Sequence, residues 1–426
     1  MKTKRLYLVV CVLLTFSLIL TGCGGTTPAA EEGEEAPESI VIGAVYPLTG
    51  SNALLGDESL RGAQLAVDEI NASGGLWGGT QVELLIADAP DVTAAQTEAE
   101  RLITKEGVTL MFGAYSSGLS NVITDVCARY EVPYFELGAI GSAIMQKGYP
   151  YLFRTCAGAP DFGKGQAKFF TEVALPILGV EIADAKVAMA FEDSLYGTSV
   201  TDAAEEALLA LGYKAENIKK IPYAATSVDL TTVVLEAKNF EPDGLISVSY
   251  VTDAILLARQ AEEMNFVPPV WIGAGGGTSM RPTLEAVGKG MYGLAGIDFP
   301  QYAVNKDNIK GIDEFISIYK AKYGDEPRSG HSLANYAGIY IMADIINAAG
   351  SFEKDAIKDA AMAIDKPFNT YAAGWGAKFD ETGQNTMAPL VIGQWTLDQL
   401  EAIWPEEFST MDPIIPMPSW EEKQAM

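Results

Sequence analysis

Residues 39–75 read SIVIGAVYPLTGSNALLGDESLRGAQLAVDEINASGG. A short β-rich run, Ile40 to Val45, leads through a glycine-containing turn into a helical stretch, expected to start near Asp57 as its candidate N-cap and to stop at Gly74. A strand followed at once by a helix of that length is half of a β-α-β unit, and the next residues supply the other half. Val82 to Ala87 reads as a strand, and Thr93-Ala94-Ala95-Gln96 is a capping-box pattern opening a helix that turns Leu102 and Ile103 inward. Val108 to Phe112 and Val132 to Phe135 are two more strands, separated by a helix through Asn121 to Arg129. Strict alternation of this kind predicts a parallel sheet covered on both faces.

After a loop from Cys156 to Gly163 the alternation restarts. Val187 to Phe191, Ile218 to Tyr223, Gly244 to Ser249 and Val270 to Ile272 are expected strands, interleaved with helices through Asp202 to Leu211, Leu230 to Asn239 and Asp253 to Met264. The remainder, from Met291, adds a helix from Tyr336 to Ala349 and a strand-turn-strand through Trp375 to Trp395, whose strands are expected to complete both sheets. The predicted fold class is therefore α/β, with two Rossmann-like lobes. In parallel open sheets a ligand sits beyond the carboxyl ends of the strands, so two lobes with these edges facing each other make a clamp.

The chain begins MKTKRLYLVVCVLLTFSLILTGCGG. Lys2, Lys4 and Arg5 form a basic start, Leu6 to Leu20 is an apolar core, and Leu20-Thr21-Gly22-Cys23 resembles a bacterial lipobox. Residues 1–22 are expected to be a lipoprotein signal peptide, Cys23 the lipidated residue, and 23–38 an acidic flexible tether. The alternative is an uncleaved membrane anchor. Either way the body is expected outside the cytoplasm, and by the lipobox reading it is held by lipid to a bacterial membrane. No other apolar run is long enough to span a bilayer.

The formal net charge is −27 and falls further when the three basic residues of the leader leave. So acidic a surface disfavours nucleic acid as a partner. Two cysteines remain in the body, Cys127 and Cys156. Their spacing fits no metal motif; the compartment permits a disulfide, and a pair of buried thiols is equally natural in such apolar surroundings.

The order and spacing of several pieces resemble the periplasmic binding proteins of the branched-chain amino acid type, the solute receptors of ABC importers. These pieces are Ala44-Val45-Tyr46-Pro47-Leu48-Thr49-Gly50 with Gly56-Asp57, Arg61-Gly62-Ala63 through Asp68-Glu69-Ile70-Asn71 and Gly74-Gly75, Asp193-Ser194-Leu195-Tyr196-Gly197, and Phe379-Asp380 with Gly383-Gln384-Asn385. The resemblance implies a type I fold whose lobes are joined by a three-crossover hinge. It assigns 39–157 with 297–372 to the N-terminal lobe and 158–296 with 373–426 to the C-terminal lobe. It also implies a monomer that closes on a small solute and docks on an importer permease.

By that resemblance, Ser117 with its neighbour Ser116 would hold a ligand carboxylate at a helix start, the alternative being that both merely cap the helix. Ala139 and Gly141 fall on the second carboxylate loop; the family usually has threonine where Gly141 stands, and Ser142 is the expected substitute. Tyr196 and Tyr250 fall at strand ends of the second lobe, either lining an apolar pocket or packing the sheet edge. Where amino-acid binders often carry an acid, this chain runs Ala274-Gly275-Gly276-Gly277. An ammonium would then need another partner, for which Glu136 is the first candidate and Asp253, otherwise a helix N-cap, the second.

Catalytic motifs are lacking: there is no G-x-S-x-G elbow, no phosphate loop and no dinucleotide fingerprint. His331, the sole histidine, follows a polar Pro327-Arg328-Ser329-Gly330 and reads as a surface or cleft-rim residue. Neither catalysis, a metal nor a cofactor is expected. The expected function is capture of an amino acid or related small carboxylate or amide by hinge closure. A ligand-sensing ectodomain is the alternative function, and an aliphatic amide, aromatic acid or keto acid the alternative ligand.

Overall fold

The computed structural model describes residues 35–426. The leader, Cys23 and most of the tether lie outside the described residues. The first sheet contains β1 (Ser39–Tyr46), β2 (Gln81–Asp88), β3 (Met111–Gly113), β4 (Tyr134–Glu136) and β5 (Leu152–Arg154), in the order β2-β1-β3-β4-β5 and parallel throughout. Between them run α1 (Ala53–Ala72), α2 (Val92–Thr104), α3 (Ser117–Tyr130) and α4 (Ser142–Gln146).

Helix α1 starts a turn earlier than expected. Asp57 is not its cap but pairs from within the helix with Arg61 and Arg328, at 2.9 Å each. Helix α2 is capped by Asp91, which accepts from the Ala94 N–H at 2.9 Å, so Thr93 lies inside the helix. The stretch expected as a loop after Cys156 turns helical at Ala159, because Pro160 sits in the first turn, where its missing N–H costs nothing.

That helix, α5 (Ala159–Phe169), opens the second lobe and packs on α6 (Leu195–Ala210). With α7 (Thr231–Phe240) and α8 (Val251–Glu263) it accompanies the parallel strands β6 (Val187–Glu192), β7 (Ile218–Tyr223), β8 (Gly244–Val248), β9 (Val270–Ala274) and β10 (Ala295–Asp298). The antiparallel strands β11 (Val391–Trp395) and β12 (Leu400–Trp404) extend the same sheet, giving the order β12-β11-β10-β9-β8-β6-β7. The late strands thus build one sheet, not both. The segment 375–390, expected to hold a strand, contributes only isolated bridges, one of them between Gln384 and Arg154 at the edge of the first sheet.

Two α/β lobes result. The chain leaves the first after β5, returns to it after β10 through α9 (Ile312–Tyr323) and α10 (Gly330–Ala349), and leaves again before β11. The boundary expected between 296 and 297 cuts β10, which pairs with β11 as far as Asp298. Cys127 and Cys156 are buried free thiols, so the disulfide option is not taken. Among the described residues no helix is long and apolar enough to cross a membrane.

Helix α10 lies on α1 so closely that a Cβ placed on Gly62 would stand 1.8 Å from the Ser332 carbonyl oxygen. Backbone cannot yield as a side-chain tip can. Gly62→Ala is therefore expected to cost about 2 kcal/mol or more through overpacking, read as a lower thermal midpoint. An unchanged midpoint would mean that the two helices slide apart freely.

Candidate functional site

Each sheet has a point where successive connections run to opposite sides, between β1 and β3 in the first and between β6 and β8 in the second. Loops at such points diverge and leave a crevice. The loop after β3 carries Tyr115 and Ser116 and runs into Ser117, the first residue of α3; Tyr196 lies in the first turn of α6 after β6, and Tyr250 is the N-cap of α8 after β8. The lobes touch there. Ser116 Oγ lies 3.4 Å from Tyr250 Oη, the Ser142 N–H donates to Ser199 Oγ at 3.1 Å, and Leu55, Tyr115, Val251 and Met280 form an apolar cluster across the seam.

Along this seam lies a cavity of about 20 Å³. Of the expected site residues, Ser117, Tyr196, Tyr250 and Gly275 line it. Ser117 Oγ accepts from the Gly141 N–H at 3.0 Å, and Tyr196 donates to the Ala274 carbonyl at 2.6 Å. Tyr115 has φ 146°, a conformation costly for a residue with a Cβ. Its ring stands 6.2 Å from that of Tyr250 and 5.2 Å from that of His331. Burial raises the phenols of Tyr115, Tyr196 and Tyr250, so all three enter the site as neutral hydroxyls.

The remaining expected residues lie elsewhere. Glu136, the first candidate for a ligand ammonium, is 0% exposed and does not line the cavity. Its carboxylate accepts from the N–H groups of Ala114 (3.2 Å), Gly138 (2.8 Å) and Ala139 (2.6 Å), from Tyr134 (3.2 Å), and from the Ser120 hydroxyl. It is an internal anchor for two loops. Burial raises its pKa, and the hydrogen bonds from Ser120, Ala139 and Gly138 oppose that rise. Ala139 and Gly141 are held from behind, their carbonyls accepting from Arg154 at 3.3 and 2.9 Å. Ser142 forms part of the seam.

Asp253 is the third residue of α8, not its cap, and accepts from Tyr223 at 2.6 Å. Burial pushes its carboxyl up to about 7.

Sequence reasoning missed the acid that does face the cavity. Asp298 ends β10, is 1% exposed, and accepts from the Phe299 N–H at 2.8 Å and from Gln301 at 3.4 Å. Burial raises its carboxyl to about 7. Facing it at 3.7 Å is Nε2 of His331, which is 4% exposed and not at the rim. Burial lowers that imidazole to about 3, so it is neutral, and neither ring nitrogen has a hydrogen-bond partner among the described residues. Phe299 and Phe162 complete an aromatic wall. The lining is mostly apolar and aromatic with few polar groups, and at about 20 Å³ the space between the touching lobes has room for about one water. Among the described residues no cluster of His, Cys, Asp and Glu could hold a metal.

Known proteins share this fold. A family model described as periplasmic binding protein matches residues 39–399. Leu/Ile/Val-binding protein homolog 8 of Brucella abortus is 41% identical over 368 residues, covering 86% of this chain and 91% of that protein. A solved structure of similar fold is the branched-chain amino acid transporter substrate binding protein LivJ of Streptococcus pneumoniae, in complex with isoleucine. It shows 22% identity, coverage of 86% of this chain and 100% of that one, and a TM-score of 0.72. Another is an ABC transporter solute binding protein of R. palustris in complex with benzoate, at 16% identity, coverage of 89% and 99%, and a TM-score of 0.73. The two structural likenesses concern the fold alone.

Proposed function

The chain belongs to the periplasmic binding protein family, and on that premise we propose that it is the lipid-anchored receptor of an ABC importer. It would capture an amino acid or related small carboxylate or amide between its lobes and deliver it by hinge closure. The observation that carries this reading is the aromatic cavity walled from both sides, by Ser117 and Tyr115 of one lobe and by Tyr196, Tyr250 and Gly275 of the other. A ligand touching both walls stabilises the closed form in proportion to the contacts it makes only there. The family is one of binding proteins, and the chain is not an enzyme.

Lipid on Cys23 would keep the receptor beside its permease as a monomer, with 23–38 as tether. The proposed hinge is the set of three crossovers near 157, 298 and 372. Relatives of this fold have been solved with isoleucine and with benzoate, so amino and aromatic acids both belong in the test. Mature protein titrated with amino acids, amides and organic acids should gain thermal stability with one of them. Saturation at a hundred times Kd is worth about 2.7 kcal/mol. No shift with any small solute, and none recovered by mass spectrometry from purified protein, removes the proposal.

A further inference from the structure

Resting on the receptor reading above, we infer that the recognised end of the ligand is a cationic amine, held in an aromatic cage with Asp298 at its base, and that a ligand carboxylate is dispensable. Three independent features lead there.

The first is the wall. The rings of Tyr196 and Tyr250 lie 5.2 Å apart at 47°, those of Tyr115 and Tyr250 6.2 Å apart at 65°, and those of Phe299 and His331 5.1 Å apart at 70°. These rings are packed against one another along one cavity, and an aromatic ring attracts a cation over its face most strongly when water is excluded.

The second is Asp298. The groups that hydrogen-bond to it, the Phe299 amide and the side chains of Gln301 and Ser279, are neutral, and so is the His331 ring opposite. A buried carboxylate without a counter-charge is costly, and a ligand ammonium removes that cost. The unpartnered nitrogen lone pair of neutral His331 offers the same N–H group a second acceptor.

The third is what the first lobe has already used. On the second of the loops expected to hold a carboxylate, the N–H groups are turned inward, those of Gly138 and Ala139 to Glu136 and that of Gly141 to Ser117, so that loop offers a ligand carboxylate little.

Matched probes test this in calorimetric titrations of the mature chain: isoleucine, isoleucinamide and 3-methyl-2-oxopentanoate; phenylalanine, phenethylamine and 3-phenylpropanoate. The amide and the amine should bind within about tenfold of their parent amino acids, and the deaminated acids at least about tenfold more weakly. Asp298→Asn should weaken every amine at least about tenfold while the ligand-free midpoint stays level or rises, because an unpaired buried charge has gone. Tyr250→Phe should retain amine binding and Tyr250→Leu lose it. A deaminated acid that matches its amine, or amine affinity unchanged in Asp298→Asn, overturns the inference and leaves the receptor reading standing. Silence of all six probes and of every other small solute overturns both. The wild-type comparison of matched probes decides the matter even where a variant fails to fold.

Discussion

Glu136→Gln should lower the stability of the whole first lobe, by about 3 kcal/mol, and not simply abolish binding in an intact fold. The carboxylate is met only by donors: three backbone N–H groups and the hydroxyls of Ser120 and Tyr134. A glutamine keeps one acceptor oxygen and turns an NH2 toward the rest, so a buried donor faces a donor and others lose their partner. The groups released are the ends of β3 and β4 and the turn into α3, which carry Tyr115 and Ser117 into the cavity. Ligand binding should therefore fall as a consequence of loosened loops. Thermal unfolding, with hydrogen exchange over 113–120 and 136–142, separates the two accounts. A variant with wild-type midpoint and protection but no amine binding would make Glu136 a ligand partner after all and would shift that role away from Asp298.

The contrast between Glu136 and Asp298 marks how far the sequence could be read. Strand-helix alternation located the two sheets, because parallel strands buried on both faces are continuous apolar runs whose ends are sharp. It was the family resemblance, not the pattern, that singled out Ser117, Tyr196, Tyr250 and Gly275 near those ends. An acid ending an apolar strand was equally visible at Glu136, but whether such a carboxylate faces the crevice or turns back on its own loops depends on backbone N–H directions, which side-chain patterns do not encode. Asp298 escaped notice because its strand, Ala295–Asp298, is four residues long and lies in a run broken by Gly293 and Gly296. His331 read as a rim residue from its polar neighbours. It is buried because Ser329 caps α10 there and brings the first turn of that helix under the cleft. Late pairings were the least legible: β11 and β12 join a sheet whose other members end about 90 residues earlier, and local pattern says nothing about which of two similar edges a strand selects.

Closure should fail in Gly276→Val, with ligand affinity lower by about 100-fold and little change in the ligand-free midpoint. Gly276 belongs to the second lobe and faces Leu55 of α1 in the first: a Cβ there would lie 2.6 Å from Leu55 Cδ1 and 3.3 Å from His331 Nε2. Once the lobes part as the proposed hinge requires, that space would be solvent, and the substitution would cost nothing until they meet. Only the closed state is penalised, and a ligand's grip on it falls by the same free energy. Scattering of this variant should show the same profile with and without saturating ligand. Adding Leu55→Ala removes the larger of the two clashes and should recover about tenfold of the loss, whereas Leu55→Ala alone, which merely trims the apolar seam with Tyr115, Val251 and Met280, should weaken binding only modestly. The recovery is the diagnostic outcome. A Gly276→Val receptor that binds normally would mean that the ligand is held by one lobe alone, and the aromatic wall supplied by Tyr196 and Tyr250 would then have no part in capture.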